Sequence, residues 1–124
     1  MPIAHMSISV ADFDAAKAFY SAALAPLKYK VAMEFPGSVG FGVPGDKSDF
    51  WLVSSKGQKV PPVHTAFLGQ SEEMVQQFHA ASLKAGATCN GLPGLRPQYG
   101  PDYYASFITD LEGNNMECVY FKPQ

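Results

Sequence analysis

Cysteine is scarce in this chain. Its two copies, Cys89 and Cys118, stand far apart and outside any CxxC or CxxH spacing. That excludes a disulfide framework or a cysteine-built zinc knuckle and leaves packing thiols in a reducing compartment. Charge is sparse as well. Only 16% of residues are Asp, Glu, Lys or Arg and the net charge is -2, so there is no electrostatic case for nucleic acid or an anionic membrane surface. No apolar run approaches the ~20 residues of a membrane span. The first residues also lack the basic start, hydrophobic stretch and cleavage site of a secretory signal. The expected setting is therefore the cytoplasm, and the expected partners are a small molecule and a second copy of the chain, not a nucleic acid or a membrane. What the chain does hold is apolar surface, 47% of 124 residues, enough for one domain with a real core.

The chain repeats itself. Residues Pro2 to Val10 alternate, with Ile3, His5, Ser7 and Ser9 on one face and Ala4, Met6, Ile8 and Val10 on the other, which predicts a strand. Asp12 is placed to cap a helix whose stripe is Ala16, Phe19, Tyr20, Ala23 and Leu24 and which ends before Pro26. Strand-like runs follow at Tyr29 to Glu34, Val39 to Val43 and Asp49 to Ser54, separated by Pro-Gly turns. A shift of 59 residues then maps His5 onto His64, Asp12 onto Ser71, Phe19 onto Phe78 and Leu24 onto Leu83. Strand, cap and helix recur in register. Aligning Asp49–Val53 with Asn115–Val119 needs a shift of 66, so the second half carries extra residues, expected in a proline-rich loop over 90–103. The prediction is α+β: two βαβββ modules, residues 1–54 and 62–122, within one domain covering 1–124.

The last strand carries a carboxylate that needs an explanation. Alternation puts Asn115, Glu117 and Val119 on one face of this stretch and Met116, Cys118 and Tyr120 on the other. A glutamate in that apolar setting is costly without a cation or hydrogen-bond donors. The plainer reading is an edge-strand glutamate facing water.

Paired βαβββ modules with His5, His64, Glu117 and the turn Gly113-Asn114-Asn115 resemble the vicinal oxygen chelate superfamily. This group contains glyoxalase I, extradiol dioxygenases and the bleomycin and fosfomycin resistance proteins, and the resemblance runs end to end. It implies a cup of mixed sheet with helices outside and a divalent metal, Fe, Mn, Ni, Co or Zn, on His5, His64 and Glu117. The counterpart of the usual fourth ligand is Trp51, which cannot bind a metal. Two imidazoles and one carboxylate leave positions open for substrate, with Glu117 as the catalytic group of a glyoxalase-like lyase or isomerase, or of a dioxygenase. The alternative is a metal-free protein that sequesters a small aromatic or anionic compound. The plainer reading of each histidine is a hydrogen-bonded structural one.

Further candidates are substrate contacts. Trp51 and Phe41 would form an aromatic wall if they face the cup, Arg96 could clamp an anion with its planar fork, and Tyr99, Tyr103 and Asn115 lie nearby. Each also has an ordinary packing or loop-anchoring role to set against it. The small modules, with their exposed sheet edges, predict a homodimer.

Overall fold

The structure, a computed structural model, describes residues 3–123. The first strand, β1 (Met6–Val10), starts later than the alternation suggested. Ile3, Ala4 and His5 precede it without strand pairing, and Pro2 lies outside the described residues. Asp12 then caps α1 (Phe13–Ala23), its carboxylate accepting from Ala15 N at 3.1 Å. Pro26 sits in a short 3-10 turn, Ala25–Leu27, just past the helix end. Three strands complete the module: β2 (Lys30–Phe35), β3 (Ser38–Gly42) and β4 (Phe50–Ser54). They hydrogen-bond in the order β1-β4-β3-β2, with β1 parallel to β4 and the other pairs antiparallel.

The second half repeats this order. Its elements are β5 (His64–Leu68), α2 (Glu72–Lys84), β6 (Thr88–Leu95), β7 (Tyr103–Thr109) and β8 (Asn115–Phe121), arranged β5-β8-β7-β6. Ser71 caps α2 by accepting from Met74 N, and Gly86, just past its end, takes the positive φ of 114° that glycine adopts without a Cβ clash. The fold is thus the expected α+β pair of βαβββ modules, hydrogen-bonded as two four-stranded mixed sheets. The stretch over 90–103 differs from expectation. Much of it belongs to β6, an edge strand that absorbs Gly91, Pro93 and Gly94 through two register shifts against β7.

One core serves both modules. The inward residues of the first sheet, among them Ile8, Val10, Phe50 and Leu52, join those of the second, among them Phe67, Ile108 and Met116. Aromatic rings bridge the two: Tyr20 to Phe50 at 5.1 Å, Phe50 to Phe67 at 5.0 Å and Phe67 to Phe78 at 6.2 Å. The helices α1 and α2 touch. Because strand side chains alternate, burying one face of each sheet here leaves the other face outside this core.

A buried carboxylate locks the modules together. Asp110, between β7 and β8, accepts from the Tyr20 hydroxyl of α1, from Asn114 Nδ2 at 2.9 Å, and from the backbone N–H groups of Glu112 at 2.9 Å and Asn114 at 2.8 Å. Glu112 reaches back to the start of α1 and accepts from Ala11 N and Asp12 N. Asp110→Ala should therefore lower stability by about 3 kcal/mol, since it strands several buried donors at once. Glu112→Ala, whose hydrogen bonds are more exposed, should cost about 1 kcal/mol. Urea denaturation of the two variants measures the difference.

Candidate functional site

The open face of the second sheet gathers His64, Glu117, Tyr103 and Phe107. His64 opens β5 opposite Asn115, Ala66 follows opposite Glu117, and Phe107 of β7 lies across from Glu117 on its other side. Alanine at position 66 is small enough to leave the space through which His64 Nε2 approaches Glu117 Oε1, at 2.9 Å. Glu117 is only 2% exposed. Its other oxygen, Oε2, accepts from the Tyr103 hydroxyl at 2.5 Å.

Proton accounting decides what this pair can hold. His64 Nδ1 lies 2.9 Å from the carbonyl oxygen of Asn115. A carbonyl only accepts, so Nδ1 carries the proton. Nε2 then faces Glu117 Oε1, and either a proton or a cation must lie between the two atoms. A nitrogen and an oxygen converging in this way, with each ligand's far side held by a hydrogen bond, fit a divalent metal. Among the described residues of one chain, no three His, Cys, Asp or Glu side chains converge.

His5 is therefore kept apart. It lies exposed beside the first sheet, lining a recess with Trp51 and Met33, away from the His64 and Glu117 pair. Trp51 occupies the place in the first module that Glu117 holds in the second, since Ser7 pairs with Trp51 as Ala66 pairs with Glu117. Phe41 is a correction. It is fully buried against Phe50 in the core, because Phe41 is the partner of Phe50 while Gly40 is the partner of Trp51, and adjacent residues of a strand face opposite ways.

The remaining candidates cluster near the pair. Arg96 donates from Nη1 to Gly94 O at 2.9 Å and from Nη2 to Leu92 O at 2.7 Å, and its guanidinium lies 5.3 Å from the Phe107 ring. Its planar fork thus fastens the end of β6 over that ring. Gly91 makes room for this arrangement, because a Cβ there would come within 2.9 Å of Phe107 and 3.1 Å of Arg96. Tyr99 is exposed and packs edge-on to Tyr103 at 5.3 Å, and Asn115 Oδ1 accepts from Asn90 Nδ2. Phe107, nearly parallel to the His64 ring at 6.3 Å, was missed from sequence. Only the β7–β8 register puts it opposite Glu117.

Burial, reinforced by the Glu117 hydrogen bond, pushes the Tyr103 hydroxyl up to about 12. Burial and then the Asp110 carboxylate hold Tyr20 well above the ordinary tyrosine range. Cys118 faces the core, where burial first and Glu117 second push its thiol up to about 12. Both tyrosines keep their protons in the folded chain at a pH where the unfolded chain starts to lose them, near 10. Unfolding then releases protons, so this stabilisation is complete below about pH 10 and is lost as pH rises through the folded values. Denaturant midpoints from pH 8 to 12 should fall above about pH 10, and Tyr103→Phe should make that fall shallower. At neutral pH the same variant should lose about 1–3 kcal/mol, because a buried carboxylate oxygen is left unpaired.

No helix among the described residues is long and apolar enough to cross a membrane. The family model described as Glyoxalase/Bleomycin resistance protein/Dioxygenase superfamily matches residues 2–118. Among solved structures, the chain is similar to a glyoxalase/bleomycin resistance protein from Albidiferax ferrireducens T118, with 26% identity, 99% of this chain and 100% of that chain covered, and a TM-score of 0.82. A glyoxalase/bleomycin resistance protein/dioxygenase family enzyme from Burkholderia phytofirmans PsJN shares the fold at 18% identity, covering 96% and 98%, with a TM-score of 0.71. A lactoylglutathione lyase from Agrobacterium tumefaciens does so at 18% identity, covering 95% and 92%, with a TM-score of 0.70. No curated protein matches the chain. With the family model matching nearly the whole sequence and the paired βαβββ fold beneath it, the chain belongs to the glyoxalase/bleomycin resistance protein/dioxygenase superfamily.

Proposed function

We propose that this chain is a metal-dependent enzyme acting on a small molecule that offers paired oxygens, as a glyoxalase-like lyase or isomerase or as a dioxygenase. The observation that carries this reading is the convergence of His64 Nε2 and Glu117 Oε1 at 2.9 Å with the His64 tautomer set by Asn115. The ligand set suits Fe, Mn, Ni, Co or Zn. Such a cation, when bound, polarises substrate oxygens and lowers the pKa of a bound water. The protein's part is positioning. Tyr103 holds Glu117 Oε2, so Oε1 is the oxygen left to ligate or to take a substrate proton, while the Asn115 carbonyl keeps His64 turned toward it.

A third ligand comes, in this reading, from a second copy. His5 is exposed beside the other sheet, and a two-fold arrangement laying the first sheet of one copy over the second sheet of its partner makes two equivalent sites, each with His5, His64 and Glu117. Exposed apolar residues on the first sheet, Met33 at 49% and Phe35 at 53%, give that face a reason to be covered. A homodimer follows. The metal-free sequestering reading has one observation in its favour: Trp51 stands where the second module has Glu117.

Calorimetric titration of the purified, tag-free protein with Mn and Ni tests the proposal. Wild type should bind, and His64→Ala and Glu117→Gln should each lose at least about tenfold in affinity. His5→Ala and Glu117→Gln proteins unfolded and refolded together should recover part of the tight binding that each lacks alone, because a mixed dimer holds one intact site. Unchanged affinity in Glu117→Gln, or no binding by wild type, would hand the function to the metal-free reading.

A further inference from the structure

The first sheet carries an aromatic platform that the metal site does not use. Trp51, the sole tryptophan of the chain, lies flat against the backbone of β3. A Cβ built on Gly40, its cross-strand partner, would sit 2.6 Å from both Cε2 and Cζ2 of the indole, so only glycine lets the ring lie there. The Phe35 ring is nearly parallel to it, at 15° and 6.2 Å. Neither ring belongs to the buried core. A partly exposed indole laid on a sheet face offers a planar apolar surface.

Beside this platform lies an open recess of about 400 Å3, lined by Ala4, His5, Met33, Lys47, Ser48 and Trp51. None of these lining residues is acidic. Lys47 is exposed and makes no ion pair among the described residues. Ser48 Oγ is shut off from water and has no hydrogen-bond partner among the described residues, so a turn about its χ1 toward a ligand oxygen would satisfy it. The recess therefore combines a flat ring, a free cation and an unused hydroxyl, at a volume suited to a small ligand.

We propose that this recess binds a planar aromatic carboxylate, its ring on the Trp51 indole and its carboxylate at Lys47 and Ser48. Ring-on-ring contact supplies the preference for a planar ligand, and the lysine supplies the preference for an anion. The inference deepens the proposed function by naming a substrate class. It rests on that reading only in placing the recess beside the His64 and Glu117 of a second copy; the recess itself is built from one chain.

The single indole N–H gives one resonance to follow in an amide correlation spectrum. On titration with benzoate it should shift saturably. Cyclohexanecarboxylate, anionic but not planar, and benzyl alcohol, planar but neutral, should each bind several-fold more weakly. Lys47→Met, an exposed change that spares the fold, should weaken benzoate about threefold to fivefold and leave benzyl alcohol unchanged. Equal binding of all three probes, no saturable shift, or an unchanged benzoate affinity in Lys47→Met would overturn the inference. Repeating the titration on chelator-treated wild type separates the two claims. Benzoate binding there should equal that of the untreated protein. Its absence in a wild type that still binds metal sinks the aromatic site alone, whereas benzoate binding in a wild type that binds no metal sinks the metal reading alone.

Discussion

The edge-to-face contact between Phe50 and Phe67, at 5.0 Å, joins the two sheets through their inner faces. Once those residues are committed to a common core, parity along each strand does the rest. Ile8 and Val10 follow Phe50 inward, and Met116 and Cys118 follow Phe67. The residues between them, Ser7, Trp51, Ala66 and Glu117, are left on the faces outside this core. Aromatic rings suit this junction because each can satisfy contacts on several sides, and Phe67 touches rings from Tyr29, Phe50 and Phe78.

The turn before β8 supplies the second constraint. Asp110 gathers donors from its own turn and from Tyr20 of the first module, and Glu112 holds the entry to α1. Asn114 extends the hold to the start of β5, accepting from Val63 N at 2.9 Å. The strand that bears Glu117 is therefore pinned at its beginning from both modules. That matters for a buried carboxylate, whose desolvation is offset only while its partners stay within hydrogen-bond reach. Tyr103 and His64 stand on the two strands that flank β8, so the register of the whole second sheet decides whether Glu117 is satisfied.

The two modules share one topology and differ in chemistry. At equivalent positions the second module has Glu117 beside the small Ala66, whereas the first has Trp51 resting on Gly40. One face carries a buried carboxylate paired with a histidine. Its counterpart became a flat apolar surface with a lysine at its margin.

Much of this was written in the chain itself. The period-two runs, the caps Asp12 and Ser71, and the shifts of 59 and 66 residues determined both modules, their βαβββ sequence along the chain and the equivalence of Trp51 with Glu117, because alternation and capping are local and a repeat can be counted. Glu117 was legible for the same reason: a carboxylate in an apolar strand needs partners. Other features depended on contacts between distant segments. Phe41 went into the core because of its register against Phe50, Arg96 turned to backbone carbonyls because β6 bulges beside it, and Phe107 reached the site through the β7–β8 register. Tyr103 became the donor to Glu117, and His5 was separated from His64, only when the strands paired and the two sheets closed on one core. Which face a residue takes follows from its own strand, but which residues meet across strands and sheets is decided by tertiary packing, since that alone fixes register and the relative placement of the modules.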